Sequence, residues 1–214
     1  MLFLNCGKEL PRQKKVLSRF LYLHNRRNII PSPVGHTLAG ASILLASGKK
    51  TQKFSFSQWG IVFLLANLQD IDYLFGYVVG NPNKYHHLWT HSLTFAVGTG
   101  VISGFVYWIV VQKESFRFGC IAFFLVFSHL VLDFFTRDTM YPYGMKLFWP
   151  FSQKFFISPV VLFLDVNKAS SSYAFVRSLF CWHNFWTVLV ELIILGPAFI
   201  WLWLRKRQKL KELT

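Results

Sequence analysis

The sequence predicts an all-α, multi-pass membrane protein with about four to five spans and a metal site at one membrane face. The chain has 214 residues, of which 53% are hydrophobic and 15% are charged, whereas a soluble domain carries roughly 25% charged residues. Several apolar runs approach the roughly 20 residues that a membrane helix needs. The ionisable residues in and beside these runs are mostly histidine and aspartate. Because such residues are costly in lipid, they indicate function.

The longest apolar runs predict the membrane-spanning helices. Residues 92–111 and residues 118–132 contain no charged side chain, and residues 185–204 contain a single acidic one. Residues 54–68 are also largely apolar. Each run is therefore a candidate span.

Two shorter runs predict elements of a different kind. Residues 34–48 are apolar but short, which fits a short span, a tilted span or a half-buried helix. Residues 155–164 are too short to span alone and contain Pro159, which disfavours a continuous helix. We expect a re-entrant or interfacial piece there.

The charge is strongly basic and concentrated at the two ends of the chain. The net charge is +14, from 23 Lys+Arg and 9 Asp+Glu. Basic clusters beside membrane helices bind anionic headgroups and favour the cytoplasmic side, so membrane lipids are the expected partners. Residues 12–27 form either a solvated tail or a bound amphipathic segment. The tails lack the interleaved aromatic residues of single-strand binders, so no nucleic acid is expected.

Eight ionisable residues lie at or near the ends of four successive apolar segments. They occur at the start of the first segment, the end of the second, the start of the third and the end of the fourth. If successive segments alternate in direction, all of these positions meet at one membrane face. The residues are His36, Asp70, Asp72, His86, His87, His91, His129 and Asp133.

The local spacing supports convergence within two of these segments. His129 and Asp133 are four residues apart, which places them on one helical face about 5–6 Å apart at Cβ. Asp70 and Asp72 are two apart, so a regular helix would point them in different directions. Either the helix ends or unwinds there, or one carboxylate binds metal and the other supports a ligand.

The central histidines predict a loop followed by a helix. His86 and His91 are five residues apart, which does not suit one helical face. We expect His86 in the loop and His91 in the first turn, with Thr90 as the N-cap. His87 directly follows His86, and adjacent histidines rarely bind the same ion.

These residues would bind metal through imidazole nitrogen and carboxylate oxygen. That donor set suits zinc, and also manganese, iron or nickel. The ligands outnumber those of one tetrahedral ion, which indicates two or three ions. Paired ions clamp the attacking and leaving oxygens of a phosphoester and lower the pKa of bound water. The sequence contains no nucleophile elbow, Cys/His dyad or Walker-type loop, so metal-activated water is the expected nucleophile.

The motifs that contain these residues occur in a familiar order. They are GHTLAG at 35–40, DID at 70–72, HHLWTHSL at 86–93, SHLVLD at 128–133 and WPFS at 149–152. This order resembles the YdjM-like family of membrane-bound, metal-dependent hydrolases of bacteria and archaea, over about residues 34–165. The resemblance implies an inner-membrane location. It also implies metal ligation by His36, Asp70, His86, His91, His129 and Asp133, with Asp72 at a second acidic position.

The chain departs from the family pattern at three places. His87 stands where the family usually has Arg, so it is either an extra ligand or a replacement for a substrate-facing cation. Gln69 stands where a Pro usually precedes the first Asp. The first 33 residues extend beyond the usual start. We therefore divide the chain into a basic arm (1–33), a hydrolase domain (34–165), and a loop, last helix and basic tail (166–214).

The order of ligands is also distantly similar to that of zinc-dependent phospholipase C and P1-type nucleases. This is a fold-level analogy, and it implies a small-molecule or lipid phosphoester as substrate. Arg137 would either bind the phosphate of the substrate or act as a positively charged anchor at the membrane interface. Lys84 and Lys146 are weaker candidates for the same role. His87 and Arg137 are thus the expected catalytic residues beside the metal ligands.

Two other classes of protein remain open. A metal or ion transporter would hold its ligands near the bilayer midplane, whereas these ligands lie near helix ends. A non-catalytic membrane protein with a structural metal site would use the same residues without keeping a position for water.

Overall fold

A computed structural model describes residues 31–48, 55–136 and 143–212. These residues form seven α-helices and no β-strand, which confirms the all-α prediction. Residues 1–30 of the basic arm lie outside the described residues, as does Arg137. In chain order the helices are α1 (Pro33–Ala46), α2 (Phe56–Ala66), α3 (Asp72–Val78), α4 (Leu93–Val111), α5 (Ser115–Phe134), α6 (Ser172–Leu179) and α7 (Trp182–Lys211).

Three of these helices, α4, α5 and α7, are long and apolar enough to cross a membrane. Helix α2 and the segment Leu68–Val78 together also pass this test, but they are bent by 66° at their junction. The described chain thus supplies three spans, or four if the bent pair is one span. This is fewer than the five at the top of the predicted range, because α1 has only 14 residues.

The break between α2 and α3 separates the two carboxylates of the DID motif. The α-helix ends at Ala66, and a 3-10 turn, Leu68–Ile71, precedes α3. The side chain of Asn67 stabilises this end by donating to the Phe63 carbonyl at 2.8 Å. The prediction that the helix ends or unwinds near Asp70 and Asp72 is therefore confirmed.

One cluster of buried apolar residues lies between α1, α2 and α5, and another joins α4, α5 and Met145. The buried residues of the first cluster are Ala41, Val62, Leu65, Ile121, Ala122 and Leu125. A Cβ on Gly40 of α1 would lie 3.0 Å from Ala66 Cβ of α2 and 3.1 Å from Leu125 Cδ2 of α5, so the three helices are closely packed here.

The run 155–164 is irregular and lies against the end of α5. It forms isolated bridges from Phe156 to Met145 and from Phe163 to Thr136, and the Leu162 amide donates to the Phe135 carbonyl at 2.8 Å. This run does not form a membrane-spanning helix, and it lies at the end of the bundle where α5 ends.

Candidate metal centre

The eight predicted histidines and aspartates come together at one end of the bundle. They lie where α1 begins, where α2 breaks from α3, just before α4 begins, and where α5 ends. Four of them, His36, Asp72, His91 and His129, are completely buried. We call this group of eight residues the centre.

Asp133 lies in the middle of the centre. Its Oδ2 is 3.2 Å from the Nε2 atoms of His91 and His129, and its Oδ1 is 3.4 Å from His36 Nε2. Two ligands of a tetrahedral ion with bonds of about 2.0–2.1 Å are separated by about 3.3 Å. These spacings are therefore those expected of atoms that share an ion.

The atoms that face the interior of the centre make no hydrogen bond to any residue that the structure describes. Leaving a buried polar atom unpaired costs about 1–3 kcal/mol, so such atoms are rare and require an explanation. Divalent cations bound among these atoms would satisfy them, so the residues fit a metal. The atoms are His36 Nε2, Asp70 Oδ1, His86 Nε2, His91 Nε2, His129 Nε2 and both carboxylate oxygens of Asp133.

Asp70 extends the centre beyond one set of three ligands. Its Oδ1 lies 3.7 Å from His129 Nε2 and 3.9 Å from both His91 Nε2 and His86 Nδ1. Several overlapping groups of three donors therefore occur, with all donor atoms of a group within 4.8 Å of one another. Asp70, His86, His91 and His129 each belong to two of these groups.

Asp72 contacts the outer sides of two imidazoles. Its Oδ1 is 3.0 Å from His86 Nδ1, and its Oδ2 is 3.2 Å from His91 Nδ1. The Thr90 hydroxyl donates to the same Oδ2 at 2.7 Å. With both oxygens in use, Asp72 is placed to orient the two rings, and His91 Nε2 then lies 3.2 Å from Asp133 Oδ2.

The charges in the centre affect the two loop histidines differently. Burial lowers the pKa of His86 well below its usual value, and Asp72 only partly counters that effect. Burial also acts to lower the pKa of His91, but Asp72 and Asp133 together outweigh it and raise the pKa to about 10. Positive charge is thus favoured where the carboxylates converge.

His129 is oriented by the backbone of the broken helix. Its Nδ1 donates to the Ala66 carbonyl at 2.8 Å, at the last residue of α2. This hydrogen bond leaves Nε2 to face the centre, as in many metal-binding histidines.

The start of α4 differs from the prediction. The N-cap is Ser92, whose hydroxyl accepts from the Phe95 amide at 3.1 Å, so the expectation for Thr90 is wrong. His91 therefore lies before the helix and not in its first turn. The reason is that the Thr90 hydroxyl donates to a buried carboxylate, which is a stronger interaction than a neutral cap.

His87 lies in the centre because its backbone is left-handed. Its φ is 64°, a conformation that is uncommon outside glycine and often marks a functional site. The turn brings its ring within 4.2 Å of the His86 ring and its Nε2 within 4.0 Å of Asp133 Oδ2. The His86 and His87 rings therefore lie together although the two residues are adjacent in the chain. The role of His87 as an extra ligand or as a substrate-facing group stays a prediction.

Glu191 was not predicted to take part, yet it holds the start of α1. Its Oε1 accepts from the Ser32 amide at 2.6 Å, and its Oε2 accepts from the Ser32 hydroxyl. A Cβ on Gly35 would lie 2.7 Å from Oε2, so glycine permits this approach next to His36. The signal in the sequence was the single acidic residue in an apolar run.

Lys168 is the second residue that the sequence did not indicate. It is buried, and its Nζ donates to the Tyr73 hydroxyl at 2.6 Å. The Tyr73 ring in turn stacks on His86 with 4.2 Å between ring centroids. The two lysines that the sequence suggested as weaker phosphate contacts lie in other surroundings. Lys84 is exposed, and the Lys146 amine donates to Gln153 at 2.8 Å.

A second His/Asp pair lies outside the centre. His183 Nε2 is 2.7 Å from Asp165 Oδ1. No third ligand accompanies this pair among the metal-ligand groups of the described residues. The pair links residue 165 to the start of α7.

A family model described as YdjM inner membrane protein matches residues 32–209. No curated protein and no solved structure matches the chain. The matched range includes all eight residues of the centre and extends through most of α7.

Proposed function

We propose that this chain, which belongs to the YdjM inner membrane protein family, is a metal-dependent hydrolase that cleaves phosphoesters. The observation that carries the proposal is the set of buried imidazole and carboxylate atoms that face one another without hydrogen bonds. A chain that folds around such atoms keeps an energetically unfavourable arrangement, which is typical of functional sites.

His36, His129 and Asp133 would hold one ion, and Asp70 with His91 or His86 would contribute to a second. Zinc is the ion that this donor set suits best, and manganese, iron and nickel use the same donors. When bound, the ions supply a water of lowered pKa and stabilise the negative charge that develops on the phosphoryl oxygens.

The protein residues around the ligands then have distinct tasks. Asp72 and the Ala66 carbonyl hold three imidazoles in the ring orientation that binding requires. His87 is the most exposed of the described histidines in the centre, with an 11% exposed side chain. Because His87 is the histidine of the centre most accessible to a substrate, it would hold or pass a proton there.

A neighbouring apolar cavity suits a substrate with an apolar part. It has a volume of about 410 Å³ and is lined by Phe75, Val78, Val79, Tyr85 and Trp89. Tyr85 and Trp89 flank the two adjacent histidines in the chain. A lipid phosphoester would place its headgroup at the centre and its apolar part in this cavity.

The two alternative classes make different demands on the centre. A transporter would hold its ligands near the membrane midplane, typically on broken helices. Asp70 and Asp72 lie at the break between α2 and α3, but His36, His91 and Asp133 lie at or beside the ends of α1, α4 and α5. A structural metal site would bind the same ions without hydrolysing a substrate, so activity separates it from a hydrolase.

Metal content tests the proposal first. The wild-type protein, purified in detergent, should carry about one to three zinc-like ions per chain by elemental analysis, as multinuclear hydrolase sites do. The His129→Ala, Asp133→Ala double variant should carry none. The matched control is the double variant His183→Ala, Asp165→Ala, which removes the other His/Asp pair and should retain the wild-type metal content.

Hydrolysis of nitrophenyl phosphate monoesters and diesters, with and without a chelator, then separates catalysis from structure. Chelator-sensitive turnover is expected in the wild type and in the control variant. A wild type that binds no metal even after reconstitution would contradict the proposal. Metal binding without turnover of any phosphoester would favour the structural alternative.

A further inference from the structure

The irregular segment 165–171, which we call the strap, is hydrogen-bonded to α7 and α6 and leads into Ser172, which contacts α3. The Thr187 hydroxyl donates to the Asp165 carbonyl at 2.6 Å, and the Ala169 amide donates to the Ser178 hydroxyl at 2.8 Å. The Ser172 hydroxyl donates to the carbonyl at the end of α3, that of Tyr77, at 2.9 Å. These hydrogen bonds hold the strap between α3, α6 and α7 and so determine where its side chains lie.

The strap places the ammonium group of Lys168 beside the centre. The Lys168 side chain is only 8% exposed, and its Nζ lies 2.6 Å from the Tyr73 hydroxyl and 4.4 Å from the centroid of that ring. Tyr73 directly follows Asp72 and stacks on His86. The amine and the hydroxyl thus lie next to the imidazoles that would bind metal.

The charge of Lys168 is unexpected beside a site for divalent cations. Burial lowers the pKa of Lys168, while Asp70, Asp133 and Asp72 counter that shift, so the amine lies within electrostatic range of these carboxylates. A protonated amine is not a metal ligand, and its charge repels the ions. Such a cation weakens metal binding, and it becomes favourable when an anion joins the centre.

We propose that Lys168 Nζ and the Tyr73 hydroxyl form an anion subsite that binds a phosphoryl oxygen of the substrate. Both groups are hydrogen-bond donors, and the ammonium forms a charge-assisted bond to an anionic oxygen. The subsite rests on the proposed function, and it defines the substrate as an anionic phosphoester. Neutral carboxylic esters and amides would gain nothing from it.

Phosphate binding to the zinc-loaded full chain in detergent tests the subsite. Inorganic phosphate is titrated by calorimetry into the wild type, Lys168→Met and Lys154→Met, which changes an exposed lysine. Lys168→Met should weaken phosphate binding roughly 10- to 100-fold, as expected for loss of a hydrogen bond to a charged group. Lys154→Met should bind phosphate as the wild type does.

Zinc affinity distinguishes the subsite from a merely structural role of Lys168. If Lys168 only stabilised the fold, its loss would lower the zinc affinity. Loss of a neighbouring positive charge should leave the zinc affinity of Lys168→Met equal to or higher than that of the wild type. Tyr73→Phe, which keeps the ring on His86, should weaken phosphate binding by a smaller factor of about 2 to 10. Lys168→Gln retains a polar group and should reproduce the loss if the methionine variant folds poorly.

Three results would overturn the subsite in distinguishable ways. Unchanged phosphate affinity in zinc-loaded Lys168→Met and Lys168→Gln would remove the subsite and leave the hydrolase proposal intact. Loss of zinc in both variants would show that Lys168 only holds the strap in place. A wild type that binds no zinc would reject the proposed function and the subsite together, before any phosphate is added.

Discussion

Helices α4 and α5 are closely packed at two different levels, and the two contacts differ in chemistry. The centre lies where α4 begins and α5 ends. Farther along, Gly100 and Gly104 of α4 meet Gly119 of α5, and we call this the glycine contact. A Cβ on Gly119 would lie 2.9 Å from the Gly100 carbonyl oxygen and 3.3 Å from Gly104 Cα.

The glycine contact stabilises the folded state, whereas the centre without a bound ligand destabilises it. Close backbone approach gains dispersion energy and leaves no polar side chain unpaired. The centre instead buries imidazoles and carboxylates that lack hydrogen bonds, which is unfavourable until a ligand binds. Substitutions in the centre should therefore change metal affinity, whereas substitutions in the glycine contact should change the free energy of unfolding.

The largest effect is expected for Asp72→Asn. One of its oxygens would become a donor facing groups that now donate to it, so the His86 and His91 rings would lose their orientation. Metal affinity should fall roughly 10- to 100-fold, as is typical when such an orienting partner is lost. A zinc titration against a competing chelator measures this change.

Asp165→Asn is the matched control, since Asp165 also pairs with a histidine but lies outside the centre. It should leave metal affinity unchanged. Wild-type affinity in Asp72→Asn would show that the two rings are held by other contacts, and the orienting role would be wrong.

A smaller effect, on stability alone, is expected for Gly100→Ala. The new methyl would lie 2.8 Å from Phe123 Cβ and 3.1 Å from the Gly119 carbonyl oxygen, so α4 and α5 must move apart. Overpacking of this kind costs about 1–3 kcal/mol. Unfolding of the detergent-solubilised protein should show the loss, while the metal content per folded chain stays that of the wild type.

Gly98→Ala provides the control in the same helix, because nothing lies within 4 Å of a Cβ at that position. Its stability should match or slightly exceed that of the wild type. Equal destabilisation by both substitutions would contradict this role of the interhelical contact, because alanine is the better helix former at both positions.

The smallest effects are expected at the start of α4, where two hydroxyls have different partners. Ser92→Ala removes the N-cap and should cost about 1 kcal/mol of stability, with little change in metal affinity. Thr90→Val removes the donor to Asp72 and should mainly weaken metal binding. A Thr90→Val variant that lost stability as Ser92→Ala does, with unchanged metal affinity, would contradict this separation.

The sequence by itself determined the class of fold and the composition of the centre. The length and apolarity of the runs predicted α4, α5 and α7, because a membrane helix must be long enough and apolar enough to replace water with lipid. The positions of His36, Asp70, His91 and Asp133 near segment ends predicted their common face, since antiparallel segments bring alternate ends together.

Only the tertiary structure decided which of these groups face one another and which groups support them. The Lys168 amine and its Tyr73 partner are 95 residues apart in the chain, and Glu191 is 159 residues from Ser32. At the left-handed turn the His87 carbonyl accepts from the Lys146 amide at 3.1 Å, and Thr90 does not serve as the cap because its hydroxyl donates to Asp72. Periodicity and hydropathy describe one segment at a time, so they carry no information on contacts that form only when separate segments pack together.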